Sequence, residues 1–336
     1  MQKKGFTLIE ALIIMVIVGL LAAFAVAKYL DLIPQSNRAA ELGAVGAVRS
    51  GITLYGAESL PMSRTPRFPA TLDSAPDGAV APGNPFFANV LSQPVRSNWV
   101  KSGLSYLGPS GNIYTYNPVT GIFDANVGLV DNWNMNEGSG GTTGQGVYQG
   151  QIIGNANWAS GEVGNALHFD GVDSHVSVPD SPTLDLTTAG TVGAWIYMDA
   201  IMPFGGIIHK GDRTDFSDEA YTLQFWTGNT IILGLNNGQY MVQTTTAFST
   251  NTWYYVVGTW DSTGMRIYVN GTLNNSTVST GTAINSSGSL NIGAQTSTYY
   301  DGTYHNFPFK GVIDEAAIYN RALTSDEIKL YYNSTK

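Results

Sequence analysis

The sequence Lys-Lys-Gly-Phe-Thr-Leu-Ile-Glu at residues 3–10, followed by an apolar run to Ala27, determines how this chain is organised. A helix from Phe6 to Ala27 would be roughly 33 Å long, which is enough to cross a bilayer. Its one charged residue is Glu10, and an ionised carboxylate inside hydrocarbon costs on the order of 2.5 kcal/mol or more. The segment therefore predicts a membrane helix whose buried carboxylate is neutralised by a partner.

This segment resembles the signal of type IV prepilins and pseudopilins, in which a basic leader ending in glycine precedes Phe-Thr-Leu-Ile-Glu and an apolar helix. The resemblance implies cleavage by a prepilin peptidase between Gly5 and Phe6, and methylation of the new Phe6 amino group. It also implies that Glu10 pairs with the N-terminal amine of a neighbouring subunit in a filament. The alternatives are a plain membrane anchor or a secretory signal peptide, but the latter has no acidic residue at the head of its apolar core.

The composition disfavours several kinds of function. The chain has 336 residues, no cysteine and a formal net charge of −9. Without cysteine there is no disulfide, thiolate metal site or cysteine nucleophile. Because phosphate binding needs clustered Lys and Arg, this acidic composition disfavours nucleic acid as a partner. The length favours at least two folded units.

Four segments are predicted along the chain. They are the leader at residues 1–5, a membrane and filament-core helix at 6–60, a small pilin-like β head at 61–128 and a β-sandwich at 129–336. The predicted fold class is therefore α+β, with a long N-terminal pilin helix and a small β head followed by an all-β antiparallel jelly-roll sandwich. A disordered linker is the alternative for residues 61–128, although their aromatic content is higher than linkers usually carry.

The second half of the helix carries an apolar stripe. Its residues recur at intervals of three and four, which predicts one face packed against the head. The stripe consists of Leu42, Val45, Val48, Ile52 and Tyr55. Arg38, Glu41 and Arg49 are predicted to lie off this stripe. Within the head, an Asn-Pro-Val-Thr-Gly turn between strand-forming residues predicts a hairpin over residues 114–123.

From residue 129 onward, runs of strand-forming residues alternate with Gly, Asn, Ser and Thr, and few helical signals separate them. This pattern predicts a sandwich or jelly roll. The strongest runs are at residues 191–197, 230–235, 253–260 and 265–269. Asn270-Gly271 predicts a hairpin turn, because both central residues of a type I′ turn need positive φ. Thr324 and Glu327 predict a capping box at the start of a short C-terminal helix.

The same region resembles the laminin-G-like domains of the concanavalin A-like lectin and glucanase superfold. The matching segments include residues 133–140, 164–171, 208–212, 253–261 and 309–323. The resemblance implies an adhesion or carbohydrate-binding module that holds one Ca²⁺ in many members. By position in the family motifs, the implied acidic ligands are Glu137, Asp170, Asp173 and Asp314. Ca²⁺ prefers such carboxylates, gathered from several loops.

Each candidate site residue also has a purely structural interpretation. Asp170 and Asp173 suit a local Asp-Gly turn, and Asp314 suits a local backbone hydrogen bond. The aromatic candidates for stacking on a sugar are Trp226, Tyr299, Tyr300 and Tyr304. Buried packing is the alternative for these rings, and it is the more frequent role of aromatic residues. The four histidines show no spacing typical of a zinc site.

Catalysis is not predicted. Hydrolases on this superfold usually carry their carboxylates as Glu-x-Asp-x-x-Glu, a pattern that this sequence lacks. Asp314 and Glu315 are adjacent, and adjacent residues of a regular strand point to opposite faces.

The sequence as a whole predicts a non-enzymatic structural subunit of a type IV pilus-like filament that displays an adhesion or carbohydrate-binding module. The prepilin would be processed in the inner membrane and would then join other pilin subunits in an extracellular filament, where it would contact a glycan or a surface protein. The alternatives are a pseudopilin of a type II secretion system and a membrane-tethered glycan-acting enzyme.

Overall fold

The protein is described by a computed structural model. It covers residues 15, 36–60, 65–96, 98–126, 128–144, 147–211, 218–278, 281–298 and 304–336, with only the backbone described at 296–298, 304 and 305. Two compact units are present, Met1–Ala125 and Asn126–Lys336. Gly5, Phe6 and Glu10 lie outside the described residues. Among the residues that are described, no helix is both long enough and apolar enough to cross a bilayer.

The first unit combines a helix with a small antiparallel sheet. The helix, α1, covers residues 36–60. The sheet has five strands in the order β1-β2-β3-β4-β5. These are β1 (Gly78–Ala79), β2 (Val100–Ser102), β3 (Ser105–Leu107), β4 (Ile113–Asn117) and β5 (Ile122–Ala125). The hairpin predicted over residues 114–123 is confirmed, because β4 and β5 are paired through Asn117 and Ile122 next to the turn.

One face of α1 is buried in the core of the first unit. Val45, Val48 and Ile52 are at most 2% exposed, which confirms the centre of the predicted stripe. Leu42 and Tyr55, at its two ends, are 59% and 42% exposed. The core beneath the helix is aromatic and includes Phe86, Phe87, Trp99, Tyr106, Tyr114, Tyr116 and Phe123.

The sequence predicted that Glu41 lies off the buried face of α1, and this prediction was wrong. Glu41 is 1% exposed. It precedes Val45 by four residues and therefore lies on the same face of the helix, whereas Leu42 is rotated away from that face. A charged residue thus occupies a position that the apolar periodicity assigned to Leu42.

The second unit is a jelly-roll-like sandwich of two antiparallel sheets. The first sheet has the strand order β19-β18-β17-β12-β23-β10-β9, and β6 also pairs with β23. The second has the order β16-β15-β14-β13-β20-β11-β8-β7. A separate two-stranded ribbon is formed by β21 and β22. Between the two sheets lies an apolar core to which both contribute, for example through Leu167, Ile196, Ile208, Leu223 and Ile292.

The strands of the second unit have the following bounds. They are β6 (Leu129–Trp133), β7 (Thr142–Thr143), β8 (Gly150–Ile153), β9 (Asn157–Ser160), β10 (Asn165–Asp170), β11 (His175–Val178), β12 (Gly190–Met198), β13 (Gly206–Gly211), β14 (Glu219–Phe225), β15 (Ile231–Leu235), β16 (Tyr240–Gln243), β17 (Trp253–Asp261), β18 (Gly264–Val269), β19 (Thr272–Thr277), β20 (Leu290–Ile292), β21 (Ala294–Thr298), β22 (Tyr304–Pro308) and β23 (Lys310–Tyr319). The four strongest strand predictions are confirmed as β12, β15, β17 and β18.

Two local predictions for the sandwich are also confirmed. Asn270 and Gly271 both adopt positive φ, 51° and 74°, in the turn between β18 and β19. The C-terminal helix α2 (Ser325–Thr335) begins with a complete capping box formed by Thr324 and Glu327. This helix lies over the outer side of the first sheet, where its Ile328 packs in an apolar cluster with Trp195.

Candidate functional site

In the first unit, Glu41 connects the helix to the sheet. Its carboxylate accepts hydrogen bonds from the Ser110 backbone N–H at 2.6 Å, from Asn112 Nδ2 at 2.7 Å and from the Tyr114 hydroxyl at 2.8 Å. Burial and the hydrogen bond to Glu41 raise the pKa of Tyr114 well above its ordinary value. A Cβ on Gly108 would lie 2.4 Å from Glu41 Oε2, so a larger residue there would displace this carboxylate. The buried carboxylate of Glu41 is therefore one of the contacts that hold α1 against the sheet, in addition to the apolar face of the helix.

Two of the four predicted calcium ligands, Glu137 and Asp170, make separate local interactions. Glu137 accepts from Thr143 Oγ1 and the Gly144 N–H. Asp170 accepts from the Val172 N–H and from Ser174 Oγ, as expected for a turn. The remaining two predicted ligands, Asp173 and Asp314, are respectively exposed and buried. Over the described part of the chain, no three His, Asp or Glu side chains are grouped so that they could hold a metal ion. Calcium stays a prediction that rests on the family resemblance.

Asp314 and Glu315 lie on the same face of the first sheet. The pairing of β12 with β23 shifts register between Gly193 and Trp195, and Glu315 has a φ of 51°. This irregularity is a β-bulge, which re-aims one side chain. Asp314 pairs with Trp195, which packs under α2, and the Glu315 carboxylate accepts from the Tyr331 hydroxyl of α2 at 2.5 Å. The prediction that the two carboxylates point to opposite faces was wrong, because it assumed a regular strand.

The environment of Asp314 favours its neutral form. The side chain is fully buried, and one carboxyl oxygen accepts from the Val163 N–H at 2.9 Å. Its other oxygen, Oδ1, has no hydrogen-bond partner among the described residues. Burial first, and then the nearby charge of Glu315, raise the pKa of Asp314 to about 7. This carboxyl group is thus sensitive both to pH and to any cation beside it.

We expect the sandwich to lose stability as pH rises through the titration range of Asp314. The pKa of this carboxyl is about 7 in the folded protein and 3.8 in its ordinary state, so the folded chain binds the proton more tightly. Its contribution to the free energy of unfolding is therefore complete below pH 3.8 and is lost as pH rises through 7. Asp314→Asn keeps an acceptor for Val163 but cannot titrate.

Thermal unfolding of wild type and Asp314→Asn as a function of pH, in chelator, checks this prediction. The decline should be larger in the wild type than in Asp314→Asn, which keeps only the part due to Glu315, because burial also raises the pKa of Glu315. Asp173→Asn, a change at an exposed carboxylate, should behave as wild type. Identical profiles for all three proteins would contradict it. Repeating the series with Ca²⁺ tests the calcium prediction, since a bound cation stabilises the ionised carboxylate and removes the decline.

Trp226 lies in a small aromatic cluster near the ends of β13 and β14. Its ring centroid is 5.1 Å from that of Phe204, which in turn is 5.8 Å from that of Phe307. Phe204 has a φ of 63°, which is uncommon for a bulky residue. All three rings are partly exposed. Sequence reasoning missed Phe204 and Phe307, because neither lies in a pattern that indicates an exposed ring.

The other predicted aromatic ligand residues are only partly described. Tyr299 and Tyr300 lie outside the described residues. Tyr304 begins β22, and only its backbone is described.

Three polar side chains are buried together beside the second sheet, and the sequence did not indicate this cluster. Glu219 accepts from Gln295 Nε2 at 2.8 Å, and its carboxylate lies 3.8 Å from His209 Nδ1. All three residues are at most 2% exposed. They come from three separate strands, so no spacing in the sequence brings them together.

Comparisons with known proteins find family matches at the N-terminus and in the second unit. Residues 1–26 match the model of the prokaryotic N-terminal methylation motif, and residues 170–329 match that of the concanavalin A-like lectin/glucanases superfamily. The chain therefore carries a prepilin-type methylation motif and a laminin-G-like domain, as both resemblances predicted. Over 54 residues it is 46% identical to the type IV narrow pilus major component PilA5 of Thermus thermophilus, a match that covers 16% of this chain and 47% of PilA5. The chain thus spans about half the length of this curated relative.

Solved structures give weaker likenesses. Domain 4 of AbnA, a GH43 extracellular arabinanase from Geobacillus stearothermophilus, has a TM-score of 0.47 at 19% identity, and the match covers 61% of this chain and 98% of that one. The binding domain of botulinum neurotoxin DC has a TM-score of 0.48 at 15% identity, with 62% and 52% covered. At these values neither likeness carries an argument about function.

Proposed function

We propose that this protein is a subunit of a type IV pilus-like filament that displays its sandwich for adhesion. The proposal is supported by the presence of a methylation motif at residues 1–26 and a lectin-like domain at residues 170–329 in one chain. The similarity to PilA5 over 54 residues points the same way. In this proposal a prepilin peptidase cleaves between Gly5 and Phe6, and Glu10 pairs with the amine of a neighbouring subunit.

The filament subunit would begin in the inner membrane and end outside the cell, in contact with other pilin subunits and with a glycan or surface protein. Its role would be non-enzymatic. Glycoside hydrolysis needs two carboxyl groups that flank the bond to be cleaved. Asp314 and Glu315 are close together, but Asp314 is fully buried and Glu315 accepts from Tyr331 under α2.

Glu10→Ala is expected to abolish filament assembly while leaving the subunit in the membrane. Without the carboxylate, the N-terminal amine of the neighbouring subunit would be left unpaired in an apolar filament core, at a cost on the order of 2.5 kcal/mol or more per contact. The amount of subunit in sheared surface fractions should fall more than about tenfold. Asp326→Ala, at an exposed position in the first turn of α2, should leave that amount unchanged. Normal filaments from Glu10→Ala would refute the proposal.

A further inference from the structure

An open cleft of about 520 Å³ lies in the second unit beside Tyr148. It is bordered by the start of β6, by residues 182–189 and by Asn320. Ligand sites typically measure about 300–1,000 Å³, so the cleft can hold a small molecule or part of a larger one.

Tyr148 is fixed in the cleft by contacts at both its backbone and its hydroxyl group. Its N–H donates to the Asp131 carboxylate at 2.5 Å, and its carbonyl accepts from Trp133 Nε1 at 2.9 Å. Its hydroxyl accepts from Ser181 Oγ at 2.9 Å and lies 2.7 Å from Thr183 Oγ1. Because the ring is already held in place, little side-chain entropy is lost when a ligand contacts it.

The segment of residues 182–189 is also held in place, by buried side chains behind it. The Tyr221 hydroxyl donates to the Leu184 carbonyl at 2.9 Å, and Trp260 Nε1 donates to the Leu186 carbonyl at 3.2 Å. Tyr221 and Trp260 are both fully buried. The cleft is therefore bordered by two preorganised parts of the chain.

The lining of the cleft indicates the chemistry of its ligand. It combines apolar side chains with polar groups. The polar groups are the hydroxyl of Thr183, the carboxylate of Asp185 and the amide of Asn320. Among the lining residues that the structure describes, none is Lys or Arg, so a phosphate, sulfate or carboxylate ligand is disfavoured. A purely apolar ligand would leave the polar groups unpaired. A neutral sugar matches both parts of the lining, since it has hydroxyl groups and apolar C–H faces that pack on aromatic rings.

We propose that the Tyr148 cleft binds a short neutral saccharide, with the Tyr148 ring as the packing surface and the polar groups of Thr183, Asp185 and Asn320 as hydrogen-bonding partners. This inference rests on the proposed role in adhesion, and it names the site and the ligand class. The cleft is distinct from the aromatic cluster around Trp226.

The test uses the full-length protein in detergent, applied to an array of neutral and acidic oligosaccharides, followed by calorimetric titration of the strongest neutral binder. Tyr148→Ala should weaken that binding by about tenfold or more, and Tyr148→Phe should keep most of it. Asn320→Ala should also weaken it, and this variant keeps the hydrogen bonds of Tyr148. The matched control is Tyr197→Ala, which removes another partly exposed tyrosine ring of the same unit outside the cleft and should bind as wild type.

Three results would overturn the inference: no binding of any saccharide, binding of acidic saccharides only, or neutral binding that neither Tyr148→Ala nor Asn320→Ala weakens. Counting surface filaments made by the same variants separates this inference from the proposed function. Normal filaments without saccharide binding would remove the glycan site and leave the filament proposal standing.

Discussion

Glu41→Ala is expected to destabilise the first unit by about 3–5 kcal/mol. The substitution leaves three donors without their acceptor: the Ser110 N–H, Asn112 Nδ2 and the Tyr114 hydroxyl. It also opens a cavity where the Glu41 side chain approaches Gly108. Each lost hydrogen bond to a charged group costs about 1.5–3 kcal/mol, although such losses are not additive within one network.

Hydrogen exchange in the full-length protein checks this expectation, because it reports on each segment separately. Peptides from residues 105–125 should exchange about a hundredfold faster or more in Glu41→Ala. Glu41→Gln, which keeps an acceptor oxygen, should lie between this variant and wild type. The control is Glu58→Ala, which removes an exposed carboxylate from the same helix and should leave the rates unchanged. Wild-type protection in Glu41→Ala would show that this carboxylate does not hold α1 against the sheet.

Lys210→Met is expected to destabilise the sandwich by about 2–4 kcal/mol. Lys210 is fully buried, and its ammonium donates to Asp180 Oδ1 and to the carbonyls of Ser286 and Gly288 at 2.6–2.7 Å. Removing one partner of a buried ion pair leaves the other without compensation. We expect a smaller loss of stability than the largest losses caused by breaking a buried ion pair. The reason is that the Asp180 side chain is 38% exposed and can be hydrated when Lys210 is removed.

Urea unfolding followed by tryptophan fluorescence measures this effect, since six of the seven tryptophans belong to the second unit. Lys329→Met is the matched control, because the same change is made at an exposed position of α2. A midpoint for Lys210→Met equal to that of the control would contradict the prediction. The variant should also weaken saccharide binding, because the Lys210 ammonium lies 3.8 Å from Asp185 at the edge of the Tyr148 cleft.

Much of the fold could be predicted from local patterns. The Asn270-Gly271 turn, the capping box of Thr324 and Glu327 and the strongest strands depend on residues close together in the sequence. Such features are specified by backbone preference and by period-two alternation, which a single sequence displays directly.

The features that sequence reasoning missed depend on distant residues or on irregular backbone. The groups that donate hydrogen bonds to the buried Glu41 carboxylate lie 69–73 residues further along the chain. The bulge at Glu315 gives a non-glycine residue a positive φ, and no pattern in the sequence marks it. The rings of Phe204 and Trp226 meet only because β13 and β14 pair, so their cluster is a property of the folded sheet.

The position of β6 has a mechanical consequence for the proposed filament role. Tension transmitted along the chain from the first unit reaches the sandwich at Leu129 and first loads the pairing of β6 with β23, from Leu129↔Tyr319 to Trp133↔Ala316. The load then passes to β23, which is internal to its sheet because it is also paired with β12 along its opposite edge and with β10 beyond β6. A pull on the N-terminal end of the sandwich therefore acts first on β6, whose only described partner is β23, and is then distributed through β23 to β12 and β10.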